Sequence, residues 1–152
     1  MPRWLSSDEQ SAWRVFIEVG SRLFDGLDRQ LQRDAGLSHA DYEVLVRLSE
    51  SPERRMRMSE LADQALVSRS RLSHAVSRLE SQGLLRREAC ETDRRGTFAV
   101  LTDEGFARLE AVAPGHVAEV RRLLFDHLDG PQVKALEDIS RAVLEGRRKA
   151  GG

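Results

Sequence analysis

A chain of 152 residues with 24 basic and 25 acidic side chains carries a formal net charge of −1, and that length bounds it to one domain or one dimer-forming unit. Apolar residues make up 40%, charged residues 32% and aromatics only 5%, the balance of a helical protein with many charged faces, while a single cysteine, Cys90, excludes an intrachain disulfide framework. No apolar run approaches the roughly 18 residues that span a bilayer, and the opening MPRWLSSDEQ holds no apolar signal core, so no membrane partner and a cytoplasmic location are expected.

The first predicted element is a long helix over residues 7 to 33. Ser6 or Ser7 followed three residues later by Glu9 or Gln10 has the spacing of a capping box. Trp13, Phe16, Ile17, Gly20, Phe24, Leu27 and Leu31 recur at helical intervals and give one broad apolar face. A second helix starts at Ser38, with Asp41 in its first turn and Leu37 and Tyr42 spaced as a hydrophobic staple. It should end near Glu50, before Pro52. The link Glu53 to Arg57 is polar, with room for a short strand around Met56 that pairs with a later hairpin.

The stretch from Met58 to Gly105 carries the clearest signal. A short helix, Met58 to Gln64, is followed by a tight apolar turn at Leu66-Val67, and a further helix opens at the cap Ser68. Val67 and Leu72 are spaced as its staple. Leu72, Ala75, Val76 and Leu79 form its apolar stripe. The opposite face is then Ser70, Ser73, His74 and Ser77, with Arg69, Arg71 and Arg78 at its edges, and Gly83 ends the helix. Two strand-like runs, Leu84 to Ala89 and Thr97 to Leu101, enclose the charged segment Glu91 to Gly96. Helix, turn, helix and basic hairpin together make a winged helix-turn-helix. Small hydroxyls on the outward face let a helix approach base edges, and flanking arginines hold phosphates. Charge distribution agrees: seven arginines against four acids lie between Leu66 and Arg95, whereas both ends of the chain are slightly acidic.

Thr102 caps a fifth helix, with Leu101 and Phe106 as its staple and Leu109, Val112, Val117, Val120, Leu124 and Leu128 as its stripe. Pro114-Gly115 should kink or briefly interrupt it. A last helix begins at Asp129-Gly130-Pro131, with Val133, Leu136, Ile139, Val143 and Leu144 expected to face inward, and residues 147 to 152 read as a frayed charged tail. The first, fifth and sixth helices carry more apolar surface than a small winged domain covers. A second copy of the chain is the simplest partner, and a two-fold dimer suits a palindromic DNA site.

Ser59-Glu60-Leu61-Ala62, Leu79-Glu80 with Gly83-Leu84, Asp93-Arg94-Arg95, and Leu101-Thr102 with Gly105 together resemble the motifs of the MarR (multiple antibiotic resistance regulator) family. The resemblance implies a mainly α fold with a small β wing. Residues 38–102 would form the DNA-binding lobe, and 1–37 with 103–152 the dimerisation helices. It places the side chain of Arg95 in the minor groove, gives Asp93 the role of bracing that arginine, and leaves Arg94 as a phosphate contact. With Ser68, Arg69, Ser70, Arg71, Ser73, His74, Ser77 and Arg78 on the recognition helix, these residues make up the expected DNA surface.

The same resemblance implies a cavity between the dimerisation helices and the winged lobe for a small aromatic or phenolic effector that releases a repressor from DNA. Trp13, Arg14, His39 and Tyr42 lie on the matching elements. Cys90 offers an alternative thiol switch, although the sensing cysteine of such regulators belongs on the first helix, where this chain has none. Another alternative is a winged helix that binds protein, which calls for an apolar or acidic recognition face. His116, Glu119 and His127 have helical spacing but lack further metal ligands. No cofactor is implied and no catalytic constellation stands out, so an enzyme is not expected.

Overall fold

A computed structural model of the chain describes residues 1–65, 68–92 and 96–150. Six helices and a small sheet follow in the order α1 (Ser7–Ala35), α2 (His39–Glu50), β1 (Arg55–Arg57), α3 (Met58–Gln64), α4 (Arg69–Ser81), β2 (Leu85–Ala89), β3 (Thr97–Leu101), α5 (Asp103–Leu123) and α6 (Gly130–Ala150), with 3-10 turns at Pro52–Arg54 and Phe125–His127. Among the described residues, no helix is long and apolar enough to cross a membrane.

Helix starts follow local chemistry. Ser6 and Glu9 form a complete capping box at α1, and Ser38 and Asp41 form another at α2. Ser68 caps α4 by accepting the Arg71 N–H at 3.3 Å, and Thr102 caps α5 by accepting the Gly105 N–H at 3.0 Å. At α6, Asp129 and Gln132 cap each other reciprocally, at 2.8 and 2.9 Å. The expected turn at Leu66-Val67 and the staple from Val67 lie outside the described residues.

The core sits under the winged lobe. Leu31, Leu37, Leu45, Leu48, Leu61 and Leu79 are fully buried in one cluster, and the stripe of α4 (Leu72, Ala75, Val76, Leu79) is buried as expected. The short strand around Met56 does form. It pairs antiparallel with β3, with Met56 opposite Ala99, while β3 also pairs with β2, giving the order β1-β3-β2. Just before β1, Glu53 and Arg54 adopt positive φ, and the Arg54 guanidinium lies 3.6 Å from the centre of the Phe106 ring.

Three expectations are corrected. Helix α5 runs unbroken from Asp103 to Leu123 with Pro114 inside it. The proline removes one backbone donor, but Val112 and His116 on either side of it are buried, so packing holds the helical path. The tail expected to fray from residue 147 is helical through Ala150. Finally, Val133, Leu136, Ile139, Val143 and Leu144 do not face the core of the chain; they are exposed, and α6 buries none of its residues.

The joint between wing and α5 is tight. The Thr102 hydroxyl donates to the Gly83 carbonyl at 2.7 Å, and a Cβ at Gly105 would stand 1.9 Å from the Leu84 carbonyl oxygen, which is backbone and has no rotamer to change. Gly105→Ala is therefore expected to lose about 1–3 kcal/mol of stability, the range for overpacking, read as a lower urea midpoint with an unchanged slope.

Candidate nucleic-acid interface

Helix α4 stands on its buried stripe with every other side chain exposed. At 100° per residue, Ser70, His74 and Ser77 lie farthest from the stripe, with Arg71 and Arg78 on one flank and Ser73 and Arg69 on the other. The arginine-bearing flank of that outward face also borders a cleft. Some of the polar groups of α4 are already engaged. Ser77 accepts from the Arg87 guanidinium at 3.1 Å, Ser68 is occupied as the cap, and Arg69 lies 4.0 Å from Asp63. Asp93, Arg94 and Arg95, the expected wing contacts, lie outside the described residues.

Arg78 has the most specific partner. Its Nη2 donates to Asp41 Oδ1 at 2.8 Å, and the Asp41 side chain is only 4% exposed. The other Asp41 oxygen accepts the Ser38 N–H at 2.9 Å. One buried carboxylate therefore closes the N-terminus of α2 and holds α4 against it. The guanidinium itself remains half exposed.

The flank of α4 with Arg71, His74 and Arg78 forms one wall of a cleft of about 700 Å³. Asp25 and Asp28 of α1 and His39 of α2 face them across it. The His39 backbone N–H donates to Asp28 Oδ1 at 2.9 Å, and its ring meets the Phe24 ring edge-on at 5.5 Å. Of the four effector candidates, only His39 lines this cleft. Tyr42 is buried against the His116 ring, centroids 4.3 Å apart. Trp13 and Arg14 lie with Ile17 and Ser21 on a separate shallow hollow of exposed α1 surface, about 16 Å up the helix from Phe24 at 1.5 Å per residue. Sequence reasoning missed Asp25, Asp28 and Glu43 as wall residues and Asp41 as the partner of Arg78. Only the i, i+3 spacing of Asp25 and Asp28 hinted that they share a face.

A polar chain links α1 and α5, with Gln30 and His116 buried and Asp34 exposed. Gln30 donates its amide N–H to Asp34 at 2.9 Å, which leaves its oxygen facing His116 Nδ1 at 3.0 Å. An amide oxygen only accepts, so Nδ1 carries the proton. Burial, and next the neighbouring His39, hold the His116 pKa below the ordinary 6.5. Glu119 bonds Arg122, and His127, in the 3-10 turn after α5, contacts the Arg122 carbonyl. No group of three or more metal-binding side chains occurs among the described residues. Cys90, one residue past β2, is buried, with its Sγ 3.3 Å from the Thr92 hydroxyl.

Residues 35–96 match the family model of the MarR family. The HTH-type transcriptional regulator MhqR of Bacillus subtilis (strain 168) is 32% identical over 118 residues, covering 76% of this chain and 79% of that protein. Among solved structures, Sco3205, a MarR family transcriptional regulator from Streptomyces coelicolor crystallised in complex with DNA, is 57% identical with a TM-score of 0.91, over 95% of this chain and 91% of that one. AbsC, a MarR family transcriptional regulator from the same organism, is 47% identical with a TM-score of 0.90, over 97% of this chain and 99% of that one.

Two outcomes follow from the geometry. Arg78→Ala strands the buried Asp41 carboxylate and is expected to cost about 1–3 kcal/mol in urea unfolding, whereas Ser70→Ala and Ser73→Ala stay within about 0.5 kcal/mol. For His116, the folded pKa is lowered, so the unfolded chain binds the extra proton first. Its contribution is complete above pH 6.5 and is lost as pH falls from there through the folded value. Urea midpoints measured down that range should decline, and less so in His116→Gln.

Proposed function

The chain belongs to the MarR family, and on that premise we propose that it is a homodimeric, sequence-specific DNA-binding transcriptional regulator of the cytoplasm, a repressor released by a small aromatic effector. The observation that carries the reading is the outward face of α4, where Ser70, Ser73 and Ser77 stand exposed on a helix fixed by a fully buried stripe. Serine hydroxyls allow close approach to base edges and phosphates. A relative 57% identical to this chain crystallised with DNA supports the same reading.

In this reading residues 38–102 bind DNA, and residues 1–37 with 103–152 join two copies. Phe16 and Ile17 on α1 and Ile139, Val143 and Leu144 on α6 are exposed in the single chain. Burying each against a second copy contributes about 1.5–3 kcal/mol. The two-fold axis then sets two α4 helices into successive major grooves of a palindromic operator, about 34 Å apart. Arg95 enters the minor groove, Asp93 orients it and Arg94 meets a phosphate. Ser68, Arg69, Arg71, His74 and Arg78 complete the recognition surface at its edges, the last three from the flank that also walls the cleft.

The cleft suits the effector because it shares that flank with the DNA surface. A ligand that fits only one setting of α4 against α1 and α2 changes DNA affinity by its difference in affinity for the two settings. The burial of Cys90 weighs against the thiol switch as the trigger.

Fluorescence anisotropy with DNA from upstream of the chain's own gene, against a scrambled duplex across a salt series, tests the reading. Selective binding with a steep salt slope is expected, and equal weak binding to these and to a genome-wide pool of fragments sinks it. Arg95→Ala should lose about 1–3 kcal/mol of affinity and lower the salt slope by about one. Ile139→Asp should sediment as a monomer.

A further inference from the structure

We propose that the cleft between α1, α2 and α4 takes an amphoteric aromatic molecule, with a carboxylate at one end and a protonated amine at the other. The inference rests on the reading of this cleft as the effector site and names the chemistry the effector must have.

The two walls carry opposite charge. On the α4 side stand Arg71 and His74, with Arg78 turned to Asp41. On the α1 side stand Asp25 and Asp28. The side chains of Arg71 and Asp25 make no ion pair or hydrogen bond among the described residues, so each wall keeps an uncommitted charge. Asp28 spends one oxygen on the His39 N–H and keeps the other for the cleft. Glu43, on the α2 side, lies 4.0 Å from Arg47 and is partly neutralised.

Beside Asp25 on the α1 wall lies Phe24, 55% exposed and met edge-on by the His39 ring. A ring laid on Phe24 removes apolar surface from water, and its two ends then reach walls of opposite sign. A simple aromatic acid satisfies Arg71 but meets Asp25 and Asp28. A simple aromatic amine satisfies the acids but meets Arg71. A neutral ring leaves both walls unpaired, whereas a molecule carrying both charges pairs with each wall and meets no like charge, and such contacts discriminate ligands strongly in a partly desolvated cleft. A volume of about 700 Å³ leaves room for one ring with two short arms.

The test uses three probes of one skeleton on the full chain: para-(aminomethyl)benzoate, para-toluate and para-methylbenzylamine, titrated calorimetrically at neutral pH and fixed ionic strength. The amphoteric probe should bind at least about tenfold more tightly than either single-charge probe, the effect of one further charge-assisted hydrogen bond. Asp25→Asn should erase that preference and strengthen para-toluate, a reversal that mere damage to the fold does not produce. Equal binding of para-toluate and the amphoteric probe, or binding of none of the three, overturns the inference. Anisotropy on operator DNA separates the two readings. Preferential binding of the amphoteric probe without change in DNA affinity upholds the ligand class and removes the effector role.

Discussion

The buried carboxylate of Asp41 is the contact on which the arrangement of the winged lobe turns. It accepts the Ser38 N–H at the start of α2 and the Arg78 guanidinium from α4. The apolar stripe of α4 fixes its distance from the core, but packed leucines alone tolerate rotation and sliding. A charge-assisted bond to a carboxylate that cannot move, because it also closes a helix, sets direction as well as distance. Everything α4 presents outward depends on that setting, including the serines on one face and the arginines on the next.

The division of α4 into two exposed surfaces gives the chain its economy. Ser70, His74 and Ser77 point away from the core, while Arg71 and Arg78 look sideways toward the cleft, which His74 also reaches. The edge between them is shared. A molecule seated in the cleft therefore touches α4 itself. Gln30 and His116, with Asp34 at the surface, link α1 and α5 through bonded polar groups. Each polar group there depends on its partner.

Much of this was legible in the sequence where the cause is local. The caps at Ser6, Ser38, Ser68 and Thr102 are contacts across three residues, and all four form. The extents of α3 and β3 and the buried stripe of α4 follow from patterning in the same way. What escaped depends on distant parts of the chain. The bond of Arg78 to Asp41 escaped because the two lie 37 residues apart. Pro114 reads as a break because the burial of Val112 and His116 beside it is invisible in one dimension. The acids that line the cleft escaped for a similar reason. Trp13 attracts attention as a large aromatic, but position along α1, rather than residue type, decides which side chains meet α4.

The junction of β3 with α5 has a mechanical consequence. Gly105 lies against the Leu84 backbone, and Thr102 is tied to Gly83, so the base of the wing is welded to the first turn of α5. Helix α5 then runs 21 residues without interruption, a rod of about 30 Å. Wing and rod must turn together, like the short and long arms of a crank. A rotation of a few degrees at the far end of α5, too small to disturb any single packing contact there, swings the wing through the same angle. Two such cranks joined at their far ends would convert a slight change in crossing angle into a change in the span between wings.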